Sequence, residues 1–91
     1  MYYAGICSFC EQGALGIRIC SSEKHALILC DECDAVWKST DLEQKPSFPK
    51  QPDLPCPFCS GNLMRSPAHW ASFREIYQRG WVAIVKGQTK D

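Results

Sequence analysis

Residues 7–33 read CSFCEQGALGIRICSSEKHALILCDEC, with a cysteine pair at each end and two apolar runs between them. The stretch opens and closes on Cys-x-x-Cys, at Cys7/Cys10 and Cys30/Cys33, and a third pair follows at Cys56/Cys59. A Cys-x-x-Cys on a tight knuckle points both sulfurs at one spot, where a metal ion about 2.3 Å from each fits. A single such pair can be a redox dithiol, but that motif normally opens a helix in a βαβ unit. No βαβ pattern lies between these three. Between the first two knuckles Leu15, Ile17 and Ile19 alternate with Arg18 and Cys20, and HALILC (25–30) is a second apolar run. Ser21-Ser22-Glu23-Lys24 separates them as a polar turn. The pattern predicts a β-hairpin whose far strand delivers Cys30 and Cys33.

Beyond the second knuckle, AVWKS (35–39) reads as a third short strand. Residues 41–55 carry Pro46, Pro49, Pro52 and Pro55, and proline both removes donors and fixes φ, so this segment is expected as an extended surface loop. The third knuckle follows, with Ser60-Gly61 to supply backbone freedom. Ser66-Pro67 reads as a helix start, with a capping hydroxyl and then a ring at the first helical position. Helical spacing over 67–79 places Trp70, Phe73, Ile76 and Tyr77 on one face and Arg74, Glu75, Gln78 and Arg79 on the other, and Gly80 suits a C-terminal cap. WVAIV (81–85) is then expected as a strand and GQTKD as a frayed end. The layout is one domain over 1–91: knuckle–hairpin–knuckle at 6–40, proline-rich loop at 41–55, third knuckle at 56–62, and a helix–strand tail at 66–86.

The chain has 91 residues, 45% hydrophobic and 22% charged, which is the composition of a folding chain rather than a disordered one. No apolar run approaches the roughly 18 residues of a membrane span, and MYYAGICSFC lacks the basic flank and apolar core of a secretory signal. The expected location is cytoplasmic, where thiols stay reduced. A domain this small gains only a few kcal/mol from its apolar core, whereas structural zinc contributes on the order of 10–16 kcal/mol of binding free energy.

Seven cysteines with His25 make eight ligands, the number that two tetrahedral zinc sites require. His69 reads as an ordinary helix-start residue. Three pairings satisfy the spacing. Cys7, Cys10, Cys30 and Cys33 can share a site, leaving Cys56 and Cys59 to join Cys20 and His25. Alternatively Cys30, Cys33, Cys56 and Cys59 share one, with Cys7, Cys10, Cys20 and His25 in the other. In the third, one site holds metal and the remaining pair is free thiol. The first pairing, C-x2-C-x19-C-x2-C around a hairpin, resembles a zinc ribbon. The stretches CDECDAVW and LPCPFCSG resemble the two knuckles of rubredoxin-like folds, with Asp34 where that family usually has glycine. These resemblances span 6–62. The interleaved ligand order is also similar to a RING-type cross-brace, although nothing matches the apolar groove that recruits ubiquitin-conjugating enzymes. The expected fold class is therefore a small metal-stabilised α+β protein: a zinc ribbon with a β-hairpin and a short third strand, then a C-terminal helix and strand.

Catalytic zinc keeps an open position and a nearby carboxylate base, but here the ligands saturate and no His-Glu-x-x-His motif occurs, so an enzyme is not expected. Ten Lys+Arg balance ten Asp+Glu. Residues 1–40 carry Arg18, Lys24 and Lys38 against Glu11, Glu23, Asp31, Glu32 and Asp34, a balance of −2, and thiolate-rich metal sites add further negative charge. No basic stripe of the kind nucleic acid requires is evident in the sequence. The expectation is a structural-zinc protein-interaction module, of the inhibitor or immunity type, with Tyr2, Tyr3 and Phe48 as exposed anchors and Asp31 and Glu32 facing a basic protein partner. The alternatives are a nucleic-acid-binding ribbon and a rubredoxin-like iron electron carrier, since four thiolates suit zinc or iron. Neither a membrane nor a small-molecule substrate is expected.

Overall fold

Strand β2, Ala14–Ile19, is paired along both edges and every other element is arranged around it. In the computed structural model, which describes residues 1–49 and 54–89, β2 runs antiparallel to β3, Ala26–Cys30, from Leu15↔Cys30 to Ile19↔Ala26. The hairpin expected from the alternation is present. Its far strand continues through the Cys30–Cys33 knuckle into β4, Val36–Trp37, which pairs back on β3.

The other edge of β2 is shared by two strands. Strand β1, Tyr2–Ile6, pairs with its first half through Tyr3↔Gly16 and Ile6↔Ala14, and β5, His69–Trp70, with its second half through Arg18↔Trp70 and Ile19↔His69. Strand β6, Gly87–Gln88, closes the far side of β1.

Both faces of the sheet are covered, which is why β2 and β3 bury nearly every residue. Leu15, Ile17, Ile19, Ala26 and Ile28 face one core with Trp37, and helix α1, Phe73–Gln78, contributes Ile76 to it. Leu27, Leu29 and Val36 face a second core, closed by Leu54, Leu63 and Trp70 from the chain around the third knuckle and β5. The side chains of Ile17, Ile28 and Leu27 are at most 1% exposed, and burying each stabilises by about 1.5–3 kcal/mol. Arg18, the one buried charged residue among those described, donates from Nε to the Leu63 carbonyl at 2.6 Å and stacks 4.7 Å from the Trp70 ring centre. That contact pins the third knuckle to the hairpin.

The tail differs from its expected form. The helix does not start at Ser66-Pro67: residues 69–70 are a strand, and α1 begins after Ser72. Ser72 and Glu75 form a reciprocal capping box, with the Glu75 amide donating to Ser72 Oγ at 3.2 Å and the Ser72 amide to Glu75 Oε1 at 2.9 Å. Two satisfied donors outweigh the single cap that Ser66 offers. Gly80 follows the helix with φ of +74°, as its cap role requires. The apolar run 81–85 is not a strand; Val82–Ile84 form a 3-10 turn that turns Trp81, Ile84 and Val85 onto the first core. A run of five apolar residues does not by itself distinguish the two. The strand lies instead at Gly87–Gln88, in the segment expected to fray, while Lys90 and Asp91 lie outside the described residues.

Of the proline-rich loop, residues up to Pro49 pass over the β4 edge, with Val36 and Ser47 exchanging backbone hydrogen bonds of 2.8 and 2.9 Å and Trp37 Nε1 donating to the Gln44 carbonyl at 2.9 Å. Residues 50–53, Pro52 among them, lie outside the described residues.

His69 joins β5 to α1. Its Nδ1 lies 2.7 Å from the Pro67 carbonyl and its Nε2 2.9 Å from Glu75 Oε2, so both ring nitrogens donate when the ring is protonated. The Pro67 carbonyl and the Glu75 carboxylate raise His69 above its ordinary 6.5. Burial would raise Glu75, but hydrogen bonds from the Ser72 amide and the His69 ring outweigh it and the net shift from 4.5 is downward. The His69 proton stabilises the fold fully below 6.5 and less as pH rises through its raised value. The Glu75 charge does so fully above 4.5 and less as pH falls through its lowered value. Together they contribute a few tenths of a kcal/mol, largest between about pH 4.5 and 6.5, because both groups are substantially exposed. Glu75→Gln is expected to flatten this part of the urea-midpoint profile, and Ser72→Ala to cost about 1 kcal/mol at every pH. Chemical denaturation across pH 4–8 measures both.

Candidate metal centres

Each Cys-x-x-Cys sits on a knuckle built the same way. The residue after the second cysteine takes a left-handed conformation, with φ of 60° at Glu11, 64° at Asp34 and 62° at Ser60. Asp34 thus takes a conformation that glycine adopts most readily, and in the third knuckle Ser60, not Gly61, makes the turn. Backbone amides then converge on the sulfurs. Cys7 Sγ accepts from the Phe9 and Cys10 amides at 3.4 and 3.5 Å, and Cys30 Sγ from the Glu32 and Cys33 amides at 3.5 Å each. Amides directed at sulfur stabilise thiolate, the form a metal ion takes.

The structure gathers the eight candidate ligands into two groups: Cys7, Cys10, Cys30 and Cys33, and Cys20, His25, Cys56 and Cys59. This is the first of the three pairings open to the sequence. Within each group all ligand atoms lie within 4.8 Å of one another. Cys7 and Cys33 sulfurs are 3.8 Å apart, Cys10 and Cys30 3.7 Å, and Cys20 and Cys59 3.8 Å. Four sulfurs about 2.3 Å from a tetrahedral centre stand about 3.8 Å apart, so the spacing fits one ion in each group. His25 Nδ1 lies 3.7 Å from Cys20 Sγ and the ring stacks on Phe58 at 5.0 Å, which fixes its orientation toward the sulfurs.

The groups occupy opposite ends of the hairpin. The first lies where β2 begins and β3 ends, at the Leu15↔Cys30 pair. The second sits at the hairpin turn, where the third knuckle is stitched on. The Ser21 amide donates to the Asn62 carbonyl at 2.9 Å, the Asn62 amide returns a bond to Ser21 Oγ at 2.8 Å, and Ser22 Oγ lies 2.9 Å from Cys20 Sγ. His69, engaged with Pro67 and Glu75, belongs to neither group.

Thiol acidities divide within each group. The Gln12 and Gly13 amides lower Cys10 to about 7. Burial would raise Cys20, but the Ser22 hydroxyl and His25 overcome it and bring Cys20 to about 6. Burial pushes Cys30 up to about 12 and also raises Cys33 and Cys56. Each group thus pairs acidic thiols with buried ones that a nearby cation would have to deprotonate.

The expected partner anchors fare unevenly. Tyr2 and Tyr3 are not free anchors: both are half-buried in β1, with Tyr2 against the first core and 5.7 Å from the Phe73 ring. Phe48 is 39% exposed and pairs with Phe9, itself 65% exposed, at 4.8 Å. Asp31 and Glu32 lie at the second knuckle, Asp31 exposed and Glu32 also on the surface, although Asp31 Oδ1 accepts from the Ala14 amide at 2.8 Å. The sequence did not single out Ser22, Phe58 or Gly13, whose roles depend on the fold that brings them to the ligands.

Fold and site together define a small metal-stabilised α+β protein with one cluster of four cysteines and a second of three cysteines and a histidine, and no described helix is long and apolar enough to cross a membrane. Comparison with protein-family models, curated proteins and solved structures returned no significant match.

A Cβ on Gly13 would overlap Cys30 Sγ and press on Glu32. Gly13→Ala is therefore expected to reduce bound metal from two ions to one per chain, with the cluster at Cys20 still filled. Elemental analysis of the purified variant reads this, and two ions retained would show that the first cluster does not depend on this contact.

Proposed function

We propose that this chain is a non-catalytic recognition module whose two clusters hold structural zinc, in a fold of the zinc-ribbon kind with interleaved ligands. The observation that carries the reading is saturation: eight ligands form two complete sets of four, which leaves no open position for water or substrate on either ion. Placement at the two ends of one hairpin supports a structural role, since each ion would fasten a separate segment to the sheet. The mixed set of three cysteines and a histidine favours zinc over iron, because an electron-transfer centre needs one four-thiolate site and gains nothing from a second mixed one.

The recognition partner is a protein with a basic surface. Glu11, Asp31, Glu32 and Asp34 surround the first cluster at the surface, and four thiolates around a dication add a net charge of about −2 there. Phe9 and Phe48 lie together as an exposed aromatic pair. Aromatic anchors beside complementary charge are the usual composition of a small protein's interface, and an inhibitor or immunity-type protein that masks a basic target fits this surface.

Native mass spectrometry of untagged protein is expected to give two zinc ions per chain, and a strong chelator to unfold it, because zinc binding of order 10 kcal/mol exceeds the stability of so small a core. Iron in the four-cysteine cluster would make electron transfer the leading reading. Phe48→Ala together with Glu32→Lys, which spares the Asp31 carboxylate that holds the Ala14 amide, is expected to abolish a stoichiometric complex while leaving both ions bound. Co-purification from cells followed by mass determination measures it, and the absence of any stoichiometric protein from the wild type would sink the partner assignment.

A further inference from the structure

The end of the molecule opposite the acidic knuckle carries an open cleft of about 410 Å³, whose lining includes Lys24, His25, Lys38, Phe58, Arg79 and Trp81. Three of its walls are cationic and no carboxylate lines it. These cations come from distant parts of the chain: the hairpin turn, the end of β4 and the end of α1. That is why the sequence shows no basic stripe. The site is also partly ordered in advance. Arg79 donates to the carbonyls of Lys24 and Glu23 at 3.4 and 3.3 Å, which holds the guanidinium at the cleft while its remaining N–H groups stay available. Phe58 is 50% exposed, with one ring face covered by His25.

We propose that this cleft binds a nucleotide, its phosphate held by Lys24, Lys38 and Arg79 and its base against the aromatic rings of Phe58 and Trp81. The two kinds of wall carry the choice. Three cations lining one cleft select an anion, but a bare anion has no use for two aromatic rings, whereas base–aromatic stacking contributes about 1–3 kcal/mol per base. The volume lies within the range of small-ligand sites, about 300–1,000 Å³, and suits a single nucleotide unit. With an ion bound, the neighbouring cluster of three thiolates and one imidazole carries a net charge of about −1, which three cations outnumber. The same chemistry comes from a free mononucleotide or from one unit of a single strand, and the open side of the cleft accommodates either. This inference goes beyond the metal-binding reading and is independent of the protein partner, whose surface lies at the other end.

The test titrates metal-loaded protein with AMP, with a hexamer of uridylate, with inorganic phosphate and with a phosphotyrosine peptide, following tryptophan fluorescence and confirming by calorimetry. Quenching by AMP or the hexamer, with inorganic phosphate at least tenfold weaker, is expected. Comparable affinity for AMP and the hexamer assigns a free nucleotide, and a much tighter hexamer assigns a strand. Because Lys24 and Lys38 are exposed, Lys24→Gln with Lys38→Gln is expected to keep the fold and both ions, weaken nucleotide binding about tenfold, and reduce the hexamer's salt dependence by roughly 0.7 per lost contact. Trp81→Phe is expected to retain binding with less quenching. The proposal is overturned by no binding, by binding that the lysine variants leave unchanged, by equal affinity for inorganic phosphate, or by tighter binding of the phosphotyrosine peptide. None of these outcomes bears on the metal count or on capture of a protein, so its failure is separable from that of the proposed function.

Discussion

The rest of the structure depends on one constraint: four cysteine sulfurs, and three sulfurs with an imidazole, are each brought within 4.8 Å of one another. Buried thiols resist ionisation, as the shift of Cys30 to about 12 shows, and like-charged thiolates repel. A divalent cation reverses both effects at once. The knuckles lower the remaining cost by directing backbone amides at the sulfurs, so that the scaffold supplies part of the positive potential before any ion arrives. Left-handed residues at Glu11, Asp34 and Ser60 make that arrangement geometrically accessible.

The sheet converts these two local constraints into one structure. Because the clusters lie at opposite ends of the β2–β3 hairpin, the ladder between them is clamped at both ends. The segments that cover its faces start from the clamps: the first core adjoins Cys7 and Cys30, and the second adjoins Cys20 and Cys56. Arg18 belongs to the same scheme. Its guanidinium is buried between the Leu63 carbonyl and the Trp70 ring, where it ties β5 and the third knuckle to β2 with contacts that an aliphatic residue would not make.

The hairpin was legible in the sequence because Leu15, Ile17 and Ile19 alternate cleanly and Ser21–Lys24 interrupt them. The knuckles were legible because their spacing is local. Which knuckle joins which was not, since Cys20 and Cys56 meet only through the return of the chain over the second face, and no short-range pattern encodes that path. The helix start was misplaced because two capping signals compete within seven residues. Only the reciprocal Ser72/Glu75 bond decides between them. The basic cleft was invisible for a related reason: Lys24, Lys38 and Arg79 are neighbours only after folding. Tyr2 and Tyr3 looked terminal and free, but β6 and β2 enclose them from both sides.

The interleaving of the ligands also imposes an order on how the protein comes into being. As the chain leaves the ribosome, the first cluster has all its ligands once Cys33 has emerged, while Cys20 and His25 must wait for Cys56 and Cys59. Before that, however, Cys7, Cys10, Cys20 and His25 have already emerged and make a complete set of four that is not the one the fold uses. Synthesis from the N-terminus therefore presents a competing site first, and the hairpin ladder that carries Cys20 and His25 to the end opposite Cys7 and Cys10 has to undo or forestall it.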